Sequence, residues 1–258
     1  MKNIAIVTGA SSGIGKEYFY SLLNKPLDES WVVARSADKL QALQTETQIP
    51  LKVFALDLSK SEANQALVDA VASEDVSVSY LVCASGFGRF CAVEDDETAV
   101  LENMVDLNCK SILALTKGVA PYMAKGGTMI LIASVAAMQP IPYIAAYAAS
   151  KAFVLSYGRA FNRELRKRRG ARCICVCPFW TKTAFFDRAI TPDENAIVKK
   201  YAVMYEPKQI VAQTWKDLKK KNRDVSVFGL YTKGQSLLVK LLPHKWVISI
   251  WLSQQKLK

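Results

Sequence analysis

The sequence predicts an α/β protein of Rossmann type: a doubly wound, seven-stranded, mainly parallel sheet with helices on both faces and a helical C-terminal extension. Three observations carry that expectation. Short apolar, β-branched runs of strand length recur along the 258-residue chain, as strands buried on both faces require. Stretches of helical period separate them, the rhythm of a parallel sheet with crossover helices. The first run enters T-G-A-S-S-G-I-G, a glycine turn set between a strand and a helix, which is the context that lifts such a pattern above chance.

Taken in order, residues 4–7 form the first strand. Gly9, Gly13 and Gly15 then supply the tight turn, the backbone approach and the close helix packing of a phosphate-binding loop. With Ser11, Ser12 and Ile14 they present free N–H groups at the start of a helix running from 16 to about 23. Residues 31–34 form the second strand. A site for NAD usually carries an acid at its end; here Ala34 and Arg35 stand there, and Lys39 follows. An Arg fork suits a 2′-phosphate, so the expected cofactor is NADP(H). Residues 37–47 read as a polar helix, 53–58 as the third strand with Asp57 at its carboxyl end, and 60–73 as a helix. The fourth strand is 80–84. A long helix over 96–125, broken near Asn108 and closed by Gly126-Gly127, leads to the fifth strand at 128–133. A helix from Tyr147 to about Arg169 precedes the sixth strand, 172–177, and 225–228 is the seventh.

Composition bounds the function. The chain is 51% hydrophobic and carries a net charge of +11. Residues 1–130 hold 11 Lys/Arg against 16 Asp/Glu, and the remainder 23 against 7. The basic half, with runs such as Arg166-Lys167-Arg168-Arg169, Lys199-Lys200 and Lys219-Lys220-Lys221, reads as a solvated face, and no nucleic-acid partner is expected. No signal peptide and no apolar run of membrane-spanning length is visible, so a cytoplasmic protein is expected. Cys173, Cys175 and Cys177 alternate and so share one strand face; without C-x-x-C pairs, and with His244 the single histidine, they read as core thiols, and no metal is expected.

The chemistry centres on Ser134 to Lys151. Tyr147 and Lys151 are four residues apart, hence a turn apart on one helix face. An ammonium beside a phenol favours the phenolate, so the Tyr147 pKa is expected to fall from about 10; a partly buried cation together with a bound cofactor would bring it to about 7, fitting it as a general acid/base. Ser134 follows an apolar run that delivers its hydroxyl to the carboxyl edge of the sheet.

With these residues in place, the chain resembles the short-chain dehydrogenase/reductase family over residues 1–230, and is hydroxysteroid-dehydrogenase-like. The family's T-G-x-x-x-G-x-G stands as Thr8 to Gly15, its catalytic Ser as Ser134, its Y-x-x-x-K as Tyr147 and Lys151, and its catalytic Asn as Asn108. Its adenine-contacting acid matches Asp57, and the motif after the sixth strand stands as Pro178-Phe179-Trp180-Thr181-Lys182-Thr183. The resemblance implies that Tyr147 exchanges the proton, Lys151 lowers its pKa and binds the nicotinamide ribose, Ser134 polarises the carbonyl and Asn108 holds a water linking Lys151 to solvent. It also implies cofactor contacts from Pro178, Thr181 and Thr183. Two departures stand out: Cys83-Ala84-Ser85-Gly86 replaces N-N-A-G, losing an Asn that braces the sheet, and Phe179 replaces a Gly beside the nicotinamide.

Phe87, Met138, Ile141, Tyr143, Phe179, Trp180, Phe185, Phe186, Tyr201 and Met204 are the candidate pocket residues, with 184–205 as the substrate loop. They suit a bulky hydrophobic ketone or secondary alcohol: a steroid, a bile acid or a fatty ketone. A 3-oxoacyl-carrier-protein reductase and a catalytically silent NADP-binding sensor are the competing readings. Residues 231–258 form the extension. Leu237, Leu238, Leu241 and Leu242 recur at helical spacing, Pro243 opens a second helix, and Trp246, Val247, Ile250 and Trp251 make its stripe, flanked by Lys240, His244, Lys245, Lys256 and Lys258. The stripe is expected to dock on the protein's own body and wall the substrate site of a homodimer; peripheral contact with a membrane through the tail is the alternative.

Overall fold

The computed structural model describes residues 1–190, 197–198 and 200–257. The middle of the expected substrate loop (191–196), Lys199 and Lys258 lie outside the described residues. Seven strands form one sheet: β1 (Lys2–Thr8), β2 (Glu29–Ala34), β3 (Leu51–Ala55), β4 (Val76–Cys83), β5 (Met123–Ile132), β6 (Arg172–Val176) and β7 (Val225–Ser226). Their order is β3-β2-β1-β4-β5-β6-β7, and every pairing is parallel, so the sheet is parallel throughout rather than mainly so. The order reverses between β1 and β4, where Thr8 pairs with Cys83. That is the switch point at which a crevice opens beyond the carboxyl ends of the strands.

The strand period divides the core in two. Ile4 and Ile6 of β1 join Trp31, Val33 and Leu81 on one face, while Ala5 and Val7 join Val32, Val82 and Ile130 on the other. Cys173 and Cys177 fall on the first face and Ile174 and Val176 on the second, as alternation demands. Cys175 Sγ lies 3.7 Å from the Val154 carbonyl of α6 (Ala145–Arg169), so the thiols serve as small packing groups under that helix.

Helix α1 (Gly13–Leu22) leaves the glycine turn. Gly15 has no alternative there, since an added Cβ would stand 2.3 Å from the Gly9 carbonyl oxygen. Next come α2 (Ala37–Ala42), which ends in a 3₁₀ turn, and α3 (Ser61–Ser73). The helix expected over 96–125 is α4 (Thr98–Val105), a π-turn (Asp106–Lys110) and α5 (Ser111–Val119). The break falls at Asn108 as expected, but the Gly126-Gly127 pair does not close the helix. It lies inside β5, where Gly126 takes φ +80° and the register jumps from Val78–Met123 to Tyr80–Thr128. The glycines absorb a bulge in the strand. Asp57 likewise lies two residues beyond β3, and β7 is shorter than expected. Two helices were not anticipated: α7 (Phe185–Ala189) within the substrate loop and α8 (Pro207–Leu218), which Pro207 and a Glu206–Gln209 capping box start. The extension folds as α9 (Leu230–Leu241) and α10 (His244–Gln255).

Candidate active site

A cleft of about 930 Å³ opens along the carboxyl edge of the sheet. The sequence-predicted cofactor residues all line it: Gly9, Ser11, Ser12, Gly13, Ile14 and Gly15 from the turn, Arg35 and Asp57 after β2 and β3, and Pro178, Thr181 and Thr183 after β6. The Ser12 side chain makes no cap bond to α1, which leaves first-turn N–H groups free to meet phosphate. In the loop after β4, where the Asn is missing, the Ala84 and Ser85 amides donate to Thr8 Oγ1 at 3.0 and 3.2 Å. Asp57 is held below the usual carboxylate range. Burial opposes this, but the amide and hydroxyl of Ser59 donate to Oδ1 at 3.0 and 2.9 Å, and Arg35 adds its charge.

Ser134, Tyr147 and Lys151 converge at the other end. Ser134 follows β5, and its Oγ accepts from the Ala136 amide at 3.1 Å. That bond fixes the hydroxyl at the head of a 3₁₀ turn. Lys151 is buried, with Nζ donating to the Ile132 carbonyl at 2.9 Å and lying 5.7 Å from the centre of the Tyr147 ring. The protein's own groups do not by themselves bring about the expected fall of the Tyr147 pKa. Burial pushes the phenol up to about 12, against the opposing pull of the nearby Ser134 hydroxyl. Burial also drags Lys151 down to about 8. Desolvation disfavours the charged form of each group, so additional positive charge beside the phenol is what would bring its pKa toward neutrality.

Asn108 stands behind the wall of the cleft. It is fully buried and lies outside the cleft lining. Its Oδ1 accepts from the Phe87 amide at 3.1 Å, and Nδ2 donates to the Phe87 carbonyl at 2.9 Å and to Ser150 Oγ at 3.0 Å. Ser150 Oγ donates in turn to the Tyr147 carbonyl at 2.7 Å. The Asn108 side chain therefore positions the loop after β4 and the first turn of α6. The wide π-turn, a feature common at functional sites, carries it there. Gly86 sits against the same groups: an added Cβ would meet Asn108 Oδ1 at 2.8 Å and Lys151 Nζ at 3.3 Å.

Of the pocket candidates, Phe87, Met138, Ile141, Phe179, Trp180, Phe185, Phe186 and Tyr201 line the cleft. Tyr143 and Met204 do not. Tyr143 holds φ 65° in a turn that buries its neighbours Ile141 and Ile144 against the site instead. Phe179 packs against Tyr231 of α9 at 5.8 Å between ring centres. The extension does wall the cleft: Tyr231, Val239, Trp251 and Gln255 line it, and Trp251 Nε1 donates to the Pro142 carbonyl at 3.1 Å. Sequence reasoning missed Arg188. Its guanidinium lies 3.5 Å from the centre of the Phe87 ring and lines the cleft. Burial and the repulsion of Arg35 lower its pKa. A lone Arg in F-F-D-R gave no periodic signal; its place after β6 was the only clue.

The family model for short chain dehydrogenase matches residues 3–194. The chain belongs to this family. The short-chain dehydrogenase motifs at Thr8–Gly15, Ser134, Tyr147 and Lys151 thus stand on one cleft edge, and the cleft fits the family's nicotinamide dinucleotide. Among curated relatives, the very-long-chain 3-oxoacyl-CoA reductase of Neurospora crassa is 33% identical over 194 residues, 70% of this chain and 56% of that protein. Its counterpart in Lodderomyces elongisporus is 28% identical over 235 residues, 85% of this chain and 64% of that protein. The chain spans about half the length of the first relatives it matches. Among solved structures, a short-chain dehydrogenase from Sphingobium yanoikuyae in complex with NADPH superposes with TM-score 0.77 at 22% identity, covering 96% of this chain and 95% of that one. A 7β-hydroxysteroid dehydrogenase superposes with TM-score 0.80 at 20% identity, covering 96% of each. At these identities the two structures establish the fold.

Proposed function

We propose that this chain is a cytoplasmic, NADP(H)-dependent oxidoreductase that interconverts a bulky hydrophobic ketone and its secondary alcohol, with a long-chain 3-oxoacyl thioester as the substrate class. The observation that carries the reading is the convergence of Ser134, Tyr147 and Lys151 on a cleft walled by Phe179, Trp180, Phe185 and Phe186. A carbonyl oxygen placed between the two hydroxyls accepts a hydrogen bond from Ser134 and a proton from Tyr147 as negative charge develops on it. Lys151 supplies the cation that favours the resulting phenolate. The residues that would hold a dinucleotide line the same cleft, and the hydride would come from it when bound. The aromatic wall excludes water and orients an apolar substrate. The similarity to 3-oxoacyl-CoA reductases supports an acyl chain over a steroid, and exposed Val105, Leu113 and Phe153 on α4, α5 and α6 suit a homodimer.

Dinucleotide absorbance followed against 3-oxoacyl-CoA esters of graded length and a set of steroid ketones tests the substrate. The expected result is a kcat/KM that climbs by about fourfold per methylene while apolar wall remains, from roughly 0.8 kcal/mol per buried CH₂. A steroid ketone turned over faster than every acyl thioester overturns the thioester reading. Binding of NADPH with no turnover of any ketone makes the chain a sensor.

Arg35 is exposed and follows β2 directly, and with Lys39 and Arg188 it gives the cleft three cations. The Arg35→Ala variant is expected to lose about ten- to hundredfold of the preference for NADP(H) over NAD(H), the worth of a charge-assisted bond of roughly 1.5–3 kcal/mol. Equal kcat/KM for the two cofactors in the wild type refutes the NADP(H) assignment.

A further inference from the structure

The expected stripe on the extension is split between two faces. On α9, Thr232 and Val239 are buried and Gln235 and Ser236 border the cleft. Leu230, Leu237, Leu238 and Leu241 face away and are 89, 61, 51 and 73% exposed. On α10, Val247 and Trp251 are buried, whereas Trp246 and Ile250, four residues apart, are 61 and 45% exposed. Six large apolar side chains thus crowd the outer face of two consecutive helices, while the inner face forms the wall of the active site. Scattered single exposures need no account, but exposed apolar side chains recurring at helical spacing on each of two consecutive helices do.

The charge around the patch tells what it meets. Lys233, Lys240, His244 and Lys245 are exposed on the same two helices and Lys256 directly after α10, and no Asp or Glu follows Asp224 in the sequence. A self-association surface carrying only cations places like charges against each other across a two-fold axis. An anionic lipid surface meets the same face with opposite charge. Trp, Leu and Ile set among basic residues are the composition of helices that lie in a membrane interface. Among the described residues no helix is long and apolar enough to cross a membrane, so the contact is a surface one.

We propose that the outer face of α9 and α10 docks on an anionic lipid bilayer and holds the active-site cleft against the membrane. In that pose the wall carrying Tyr231, Val239 and Trp251 is also the membrane-proximal side of the cleft, so an apolar substrate passes from lipid to site with little exposure to water. The delivery role rests on the lipid-like substrate proposed above; the docking does not.

The test is co-sedimentation of the full chain with phosphatidylcholine vesicles and with vesicles of phosphatidylcholine and phosphatidylserine, with solution mass measured in parallel. The wild type is expected to bind the anionic vesicles strongly and the neutral ones weakly. The Leu237→Ser/Leu241→Ser/Trp246→Ser variant is expected to lose at least about tenfold in binding. Lys240→Gln and Lys245→Gln are each expected to weaken it by about fivefold, the fold-change equivalent to roughly 1 kcal/mol per basic residue near an anionic surface. All the altered side chains are exposed, so melting temperatures are expected to stay near wild type. Failure of the wild type to bind anionic vesicles overturns the proposal, as does unchanged binding by the triple variant. A triple variant that falls from dimer to monomer assigns the face to self-association and also overturns it. No arm uses the substrate, so any of these failures leaves the ketone reading standing.

Discussion

Tyr147→Phe is expected to lower kcat by about 10²–10⁴-fold, the usual worth of a positioned general acid, while dinucleotide affinity changes little. The substitution removes one oxygen and almost nothing else. The ring keeps its contact with Phe185, 5.4 Å between centres, and its place beside Gly88. Lys151 keeps its bond to the Ile132 carbonyl. What disappears is the proton for the substrate oxygen and the hydroxyl whose pKa Ser134 pulls down. With burial pushing the phenol up to about 12, Tyr147 is protonated throughout the physiological range, the state required of an acid in the reductive direction. Stopped-flow single turnovers separate chemistry from binding: a slow chemical step with unchanged binding supports the acid role. A Tyr147→Phe variant retaining more than about a tenth of wild-type kcat means that another group or water delivers the proton.

Much of the fold was legible in the sequence because the strands are buried on both faces. Residues 4–7 and 31–34 have no alternative to an apolar run, and all of them become core. The cofactor loop was legible for a different reason: its backbone geometry admits few residues besides glycine. Less legible were places where tertiary contact overrides local pattern. Gly126-Gly127 reads locally as a helix stop, but pairing with β4 and β6 draws it into β5. The start of α8 is marked by Glu206-Pro207 with Gln209, a capping signal that is passed over beside the stronger strand runs. At the site, Ser134, Tyr147 and Lys151 were legible by spacing, because one helix and one strand end fix them. Their electrostatics were not. Spacing places a cation near a phenol but says nothing about how much water both lose, and burial proves the larger effect. Asn108 and Arg188 mark the same boundary: each role depends on Phe87, a partner far away in sequence.

Lys151→Met is expected to abolish most activity and to stabilise the fold at neutral pH. The buried ammonium makes a single hydrogen bond, to Ile132, and among the described residues it has no carboxylate partner. Its pKa therefore falls from 10.5 to about 8, so folding acts against the charged form. Between these values the unfolded chain binds more protons than the folded one, and stability rises with pH. Below about pH 8 the wild type carries the full penalty. Methionine of similar length carries none, though the orphaned Ile132 carbonyl gives back roughly 1–3 kcal/mol. That loss does not vary with pH, so the pH dependence is the clean readout. The melting-temperature advantage of the Met variant is expected to be largest near pH 7 and to shrink steadily toward about pH 9.5, below the range where Tyr147 enters with the opposite sign. An advantage independent of pH would mean that Lys151 is not the titrating group. In the same variant kcat/KM is expected to fall by about 10²–10³-fold or more, since the cation that favours the phenolate is gone. A protein that grows more stable as it loses its chemistry is the signature of a charge kept in the core for function.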